Sequence, residues 1–225
     1  MTESQNGKSY LNANLKFWSK FVLEGLGIAA GLALVFLVFQ FFRLDTASFG
    51  ELASLYPFYL FIIGAFTVML MVSGCFQTMF SVLMSMNVTR KALVTGMLLS
   101  EAAMILIINL AAFGIWQLFS SDIAEGGMKI LPLMLGAMFA VSSIATVIGA
   151  AGLKWGKLGV VLSMGLYIIL GAGLGFTFAV TGGNGSLMEV MAGLELEWAS
   201  AVGVVLFLIS GVFVYMSARK MEVRR

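Results

Sequence analysis

Residues 102–121, AAMILIINLAAFGIWQLFSS, lie between Glu101 and Asp122 and form 20 consecutive uncharged positions. At a rise of about 1.5 Å per residue, such a stretch matches as a helix the roughly 30 Å hydrocarbon core of a bilayer. It reads as a membrane span and sets the ruler for the rest of the chain. Five further charge-free gaps hold 18 residues between Glu24 and Arg43, 38 between Glu51 and Arg90, 24 between Lys129 and Lys154, 31 between Lys157 and Glu189, and 21 between Glu197 and Arg219. None has room for two spans and a turn, and the longest turns polar in its second half through Gln77, Ser81, Ser85, Asn87 and Thr89. The spacing therefore predicts an all-α polytopic membrane protein with a single transmembrane domain over 1–225. Its six spans fall near 22–42, 56–79, 97–119, 130–153, 158–181 and 199–218.

Composition points the same way. Of 225 residues, 60% are hydrophobic and 11% charged, and the mean hydropathy is +1.02, far above that of soluble domains. The net charge of +2 excludes a basic nucleic-acid-binding protein and an acidic disordered chain. With no histidine and one cysteine, Cys75, the usual zinc, haem and His-based catalytic sites lack their ligands and bases. Cys75 reads as a small buried hydrophobe.

Pro57 and Pro132 each open a predicted span, where the missing N–H is tolerated. Gly27-Ile-Ala-Ala-Gly31, Gly152-Leu-Lys-Trp-Gly156 and Gly171-Ala-Gly-Leu-Gly175 place small residues four apart, a spacing that lets helices approach closely.

Basic residues set the orientation, since Lys and Arg gather on the cytoplasmic side. Alternate segments carry Lys8, Lys16 and Lys20, then Arg90 and Lys91, then Lys154 and Lys157, then Arg219, Lys220, Arg224 and Arg225. The opposite side has only Arg43 and Lys129, against seven acids: Asp45, Glu51, Asp122, Glu125, Glu189, Glu195 and Glu197. Both termini are expected in the cytoplasm. A polar tail precedes a full-length first span, so no cleaved signal peptide is expected. Leu11, Leu15, Trp18 and Val22 recur at helical spacing in that tail and predict a short amphipathic helix lying in the interface, with Trp18 at headgroup level. On the outer side, Thr181-Gly-Gly-Asn-Gly-Ser186 predicts a turn before an amphipathic stretch from Leu187 to Trp198.

The segment between spans two and three, Phe80 to Gly96, is too polar to cross and too long for a turn. As a bare sequence it is a basic element that meets either anionic lipid headgroups or a cytoplasmic partner. Its core, Met86-Asn-Val-Thr-Arg-Lys91, together with the basic leader, six spans and cytoplasmic ends, resembles the membrane subunits of type-2 ATP-binding-cassette exporters. Asn87 stands where glycine is usual in the small bacterial permeases of this group, a mild departure because both types tolerate a left-handed turn.

The resemblance implies a coupling segment over 81–95, with Met86, Asn87, Val88, Thr89, Arg90 and Lys91 docking on a separate ATPase subunit. It also implies a second permease copy or paralogue and a bacterial cytoplasmic membrane location. The chain itself has no phosphate-binding loop, because neither Gly7-Lys8 nor Gly156-Lys157 has a glycine five positions earlier. No enzyme activity and no cofactor are expected of it, ATP being bound by the partner.

Glu101 is the ionisable residue nearest to membrane depth. Counting about 20 residues back from Phe119 sets the hydrocarbon edge near Ser100, which leaves Glu101 at the interface with Arg90, Lys91 or another lysine as its partner. A relay between the coupling segment and span three, and a proton or substrate site, are its other readings. Asn109, Ser73, Gln77, Ser142, Ser143, Thr146 and Thr177 read as glue between helices. The function expected is export of a hydrophobic or amphipathic peptide, lipid or drug, with multidrug or antimicrobial-peptide resistance as its setting. A non-transporting anchoring or assembly subunit that binds lipid or a cytoplasmic protein is the alternative.

Overall fold

The computed structural model describes residues 3–43, 49–76, 90–119, 124–155 and 198–220, with positions 82, 158, 161 and 165. These are helical almost throughout. The helices are α1 (Glu3–Arg43), α2 (Phe49–Gly74), α3 (Arg90–Phe119), α4 (Ala124–Trp155) and α5 (Ala199–Lys220). The first four contain stretches long and apolar enough to cross a bilayer, Lys16–Phe39, Tyr56–Gly74, Ala92–Leu118 and Leu131–Gly152, and α5 adds the shorter Ser200–Met216. Apart from positions 158, 161 and 165, the span expected at 158–181 lies outside the described residues, as does the segment from 83 to 89.

The helix α3 shows which solvent the chain is built for. Its buried face carries Ser100, Glu101 and Asn109 beside Met97, Met104, Ile105 and Ile108, while Leu99, Leu110 and Leu118 on its outer face are 65%, 65% and 81% exposed. In water this arrangement would be inside out. In lipid it is the stable one, because acyl chains solvate leucine while polar groups must find partners within the protein. The outer part of α1 repeats the pattern, exposing Phe36, Phe39, Phe41 and Phe42 while burying Ala29 and Ala33 completely.

Contacts along the helices fix their directions. Phe36 of α1 stacks on Tyr59 of α2 at 6.3 Å, and a Cβ on Gly25 would meet Met71 of α2, so these two run antiparallel. The α2–α3 pair is antiparallel as well, with Gly64 against Ile108 and both Met71 and Met104 lying over Gly25. Trp18 and Gly25 of α1 meet Gly96 and Met104 of α3, which makes α1 and α3 parallel and sets their N-terminal ends on one side. In the α4–α5 pair, Gly136 lies against Gly203 and Phe139 against Phe207, so α4 and α5 run parallel.

Four expectations change. The amphipathic leader is no separate interfacial helix, because α1 is continuous from Glu3 to Arg43. Over 41 residues it extends about 60 Å, well beyond a membrane's thickness. Trp18 is 7% exposed and packs edge-on to Phe17 and Phe21.

The two prolines do not open their helices. Pro57 is inside α2 and Pro132 inside α4, each eight residues after the helix start. Each sits where its apolar stretch begins, at Tyr56 and Leu131. There the carbonyl four residues back, of Ala53 or Met128, lies on the watery side of the boundary and can be hydrated.

The small-residue seam of α1 is also displaced. A Cβ at Gly27 or Gly31 would meet nothing, whereas one at Gly25 would come within 2.6 Å of Met104 Sδ. The packed small positions are Gly25, Ala29 and Ala33, with Tyr56 of α2 donating a hydrogen bond to the Ala30 carbonyl at 3.4 Å. Finally, α3 begins at Arg90, seven residues before the span expected at 97–119, so residues 90–95 of the coupling segment are its first turns.

Candidate functional site

Serine and threonine inside a helix usually return their hydroxyl proton to the carbonyl three or four residues back. Most here do so. Thr67 donates to Ile63 O, Ser73 to Leu70 O, Ser100 to Gly96 O, Ser143 to Phe139 O and Ser210 to Phe207 O, at 2.6–3.1 Å. These bonds make the residues compatible with the bilayer without tying one helix to another.

The exceptions gather between α3 and α4. Ser142 and Thr146 are one turn apart on α4, so both present their hydroxyls to the same strip of α3. Ser142 Oγ donates to Oε1 of Glu101. Thr146 Oγ1 lies 2.9 Å from the same oxygen and 2.8 Å from the Ser142 carbonyl. All three residues are buried: Glu101 and Thr146 are 0% exposed and Ser142 1%. Glu101 Oε2 is buried without a hydrogen-bond partner.

Two turns further along α3, Asn109 Nδ2 donates to Ile105 O at 2.8 Å and to Met138 Sδ of α4 at 2.9 Å, while its Oδ1 is buried and unpaired. Beside it is a cavity of about 10 Å³ bounded by Asn109, Phe113, Trp116, Leu131 and Met134. That is room for one water at most, and a single amide offers such a water too few polar partners to hold it.

Glu101 is buried well inside the apolar stretch of α3. It lies nine residues into the stretch Ala92–Leu118, roughly 13 Å from its start. Among the described side chains its partners are two hydroxyls, and the ion pair described in the structure is Lys20–Glu24 on the exposed face of α1, at 3.6 Å. Cys75, just beyond the end of α2, is a buried free thiol.

Toward the N-terminal end of α3, the Trp18 indole lies directly on Gly96, where any side chain would collide with it. Its Nε1–H is buried and unpaired. Of the docking residues expected from sequence, Met86, Asn87, Val88 and Thr89 lie outside the described residues, and Arg90 and Lys91 form the first two positions of α3. Arg90, Lys91 and Glu101 therefore belong to one unbroken helix, with the Trp18–Gly96 contact between them. Sequence reading placed Ser142 and Thr146 correctly as interhelical groups but did not pair them with Glu101. The signal was their i, i+4 spacing opposite an acid in the neighbouring span. Gln77 and Thr177 lie outside the described residues.

These features define an all-helical membrane protein with a carboxylate enclosed among its apolar helices. Comparison with known family models, with curated proteins and with solved structures gives no match.

Proposed function

We propose that the chain is the permease subunit of an ATP-driven exporter of the bacterial cytoplasmic membrane. In this reading it works as a pair of permeases with a separate cytoplasmic ATPase and moves a hydrophobic or amphipathic substrate. The observation that carries the reading is the continuity of α3 from Arg90 through Glu101 to Phe119. A helix of 30 residues is stiff, so a push delivered at its first turn reaches the α3–α4 seam without loss in a flexible joint.

The first turn is also charged against its own dipole. Arg90 and Lys91 stand at the positive end of α3, with no acidic residue in that turn, an arrangement that costs a few tenths to about 1 kcal/mol per cation. An acidic groove on a partner would relieve it. The parallel course of α4 and α5 supports the six-span topology. A chain that leaves α4 on one side and enters α5 on the other has crossed in between, and 158–181 is the stretch that sequence assigns to that crossing. Six spans would put both ends of the chain on one side, which the Lys and Arg distribution assigns to the cytoplasm.

Purification of the tagged chain from its native membrane in mild detergent tests the proposal. A stoichiometric companion of ATPase size bearing a phosphate-binding loop is expected. A chain that purifies reproducibly without one, or with a non-ATPase scaffold, would instead indicate an anchoring subunit.

A further inference from the structure

We propose that Glu101 is a membrane-embedded proton-binding site, loaded while α3 and α4 are packed together and emptied when their seam admits water. The argument is an account of protons around one carboxyl group. Ser142 has one hydroxyl proton and gives it to Oε1. Thr146 has one, shared between Oε1 and the Ser142 carbonyl. Every donor in the cluster thus converges on a single oxygen, and Oε2, equally buried, receives none. An ionised carboxylate spreads its charge over both oxygens and needs donors on both. A neutral acid has different needs: its carbonyl oxygen accepts and its hydroxyl oxygen carries the proton. The asymmetric arrangement at Glu101 favours the neutral acid with the proton on Oε2, since a buried hydroxyl that lacks an acceptor costs less than a buried charge that lacks donors.

The surroundings supply no balancing charge among the described side chains. From α1 come Lys16, Lys20 and Glu24, all exposed, with Lys20 and Glu24 paired to each other. From α2 come Tyr56, Tyr59 and the Cys75 thiol, from α5 comes Tyr215, and α4 faces the site with Ser142 and Thr146. With both hydroxyls turned to Oε1 and no basic side chain among the described residues beside it, the ligand that the packed seam offers Oε2 is the proton. Separation of the seam would withdraw both hydroxyls and bring water, to which the acid can pass its proton, leaving carboxylate and hydronium. This inference does not depend on the ATPase partner and can be tested without it.

Infrared difference spectra of the purified protein in lipid nanodiscs, wild type minus Glu101→Gln, read the protonation state directly. The expected result at neutral pH is a carbonyl stretch of a protonated carboxylic acid in the wild type. That band should move to lower frequency in D₂O and be absent from the variant. Ser142→Ala and Thr146→Val should each shift it to higher frequency, because hydrogen bonds to the carbonyl oxygen are lost. These two variants keep the native Glu101, so they report even if Glu101→Gln folds poorly. Carboxylate stretches in place of the acid band would overturn the proposal, whether a bound cation or a basic side chain balances the charge. The D₂O shift should lag behind replacement of the solvent, and a shift complete as soon as solvent is replaced would overturn the gated half of the claim.

Discussion

The helix α4 packs against α5 and against α3 by opposite means. Toward α5 it presents Gly136, over which Gly203 lies backbone to backbone, and Phe139, whose ring centroid is 5.1 Å from that of Phe207. Toward α3 it presents Ser142 and Thr146, which hold Glu101, and Met138, which meets Asn109. The first seam is held by close approach and dispersion, which fall away at any separation. The second is held by hydrogen bonds that can be exchanged for bonds to water, so it can open and close. The contrast is between a seam closed backbone to backbone and one joined through side-chain hydrogen bonds.

Substitutions should separate the two seams by size of effect. Gly203→Val drives a branched side chain into the Gly136 backbone, which cannot yield as a flexible side chain could, and should cost roughly 3 kcal/mol or more. Unfolding in mixed micelles would measure it, and a cost under about 1 kcal/mol would deny the close seam. Glu101→Ala removes the acceptor of two buried hydroxyls and should cost about 2 kcal/mol by the same assay, with Glu101→Gln costing about half of that or less. Equal losses for the two would show that Glu101 acts through its charge rather than its shape and hydrogen bonds. Ser142→Ala deletes one interhelical bond and should cost about 0.6–1 kcal/mol. Gly27→Ala enters open space on the lipid face of α1 and should change stability by less than about 0.5 kcal/mol, whereas Gly25→Ala meets Met104 and Met71. A larger loss at Gly27 than at Gly25 would reverse the assignment of the α1 seam.

Much of this bundle was legible in the sequence, for a reason that also explains what was not. Charges cannot enter the hydrocarbon, so the gaps between them located α1, α2, α3, α4 and α5 to within a few residues of their apolar stretches. Helix faces were harder. In water a hydrophobic period tells which side is buried, but in lipid both sides of α3 are apolar, and only Ser100, Glu101 and Asn109 mark the inward one. The same symmetry hid the choice between Gly27–Gly31 and Gly25–Ala29–Ala33 on α1, since both have the right spacing. Helix extension beyond the membrane was invisible to charge counting. The 20-residue ruler laid from Phe119 therefore ended at Ser100 and placed Glu101 at an edge, although the apolar stretch begins at Ala92. The leader's continuity with α1 was missed for a related reason, because Trp18 and Phe21 match an interfacial face and a packed one equally well.

The central claim is that α3 carries a docking end at Arg90 and Lys91 and a gating group at Glu101 on one rigid rod. ATP hydrolysis by the reconstituted permease–ATPase complex, compared between wild type and Arg90→Glu/Lys91→Glu, tests it most directly. The account predicts that permease-stimulated hydrolysis is lost in the double variant while the infrared signature of Glu101 is unchanged. Full stimulation in that variant would contradict it.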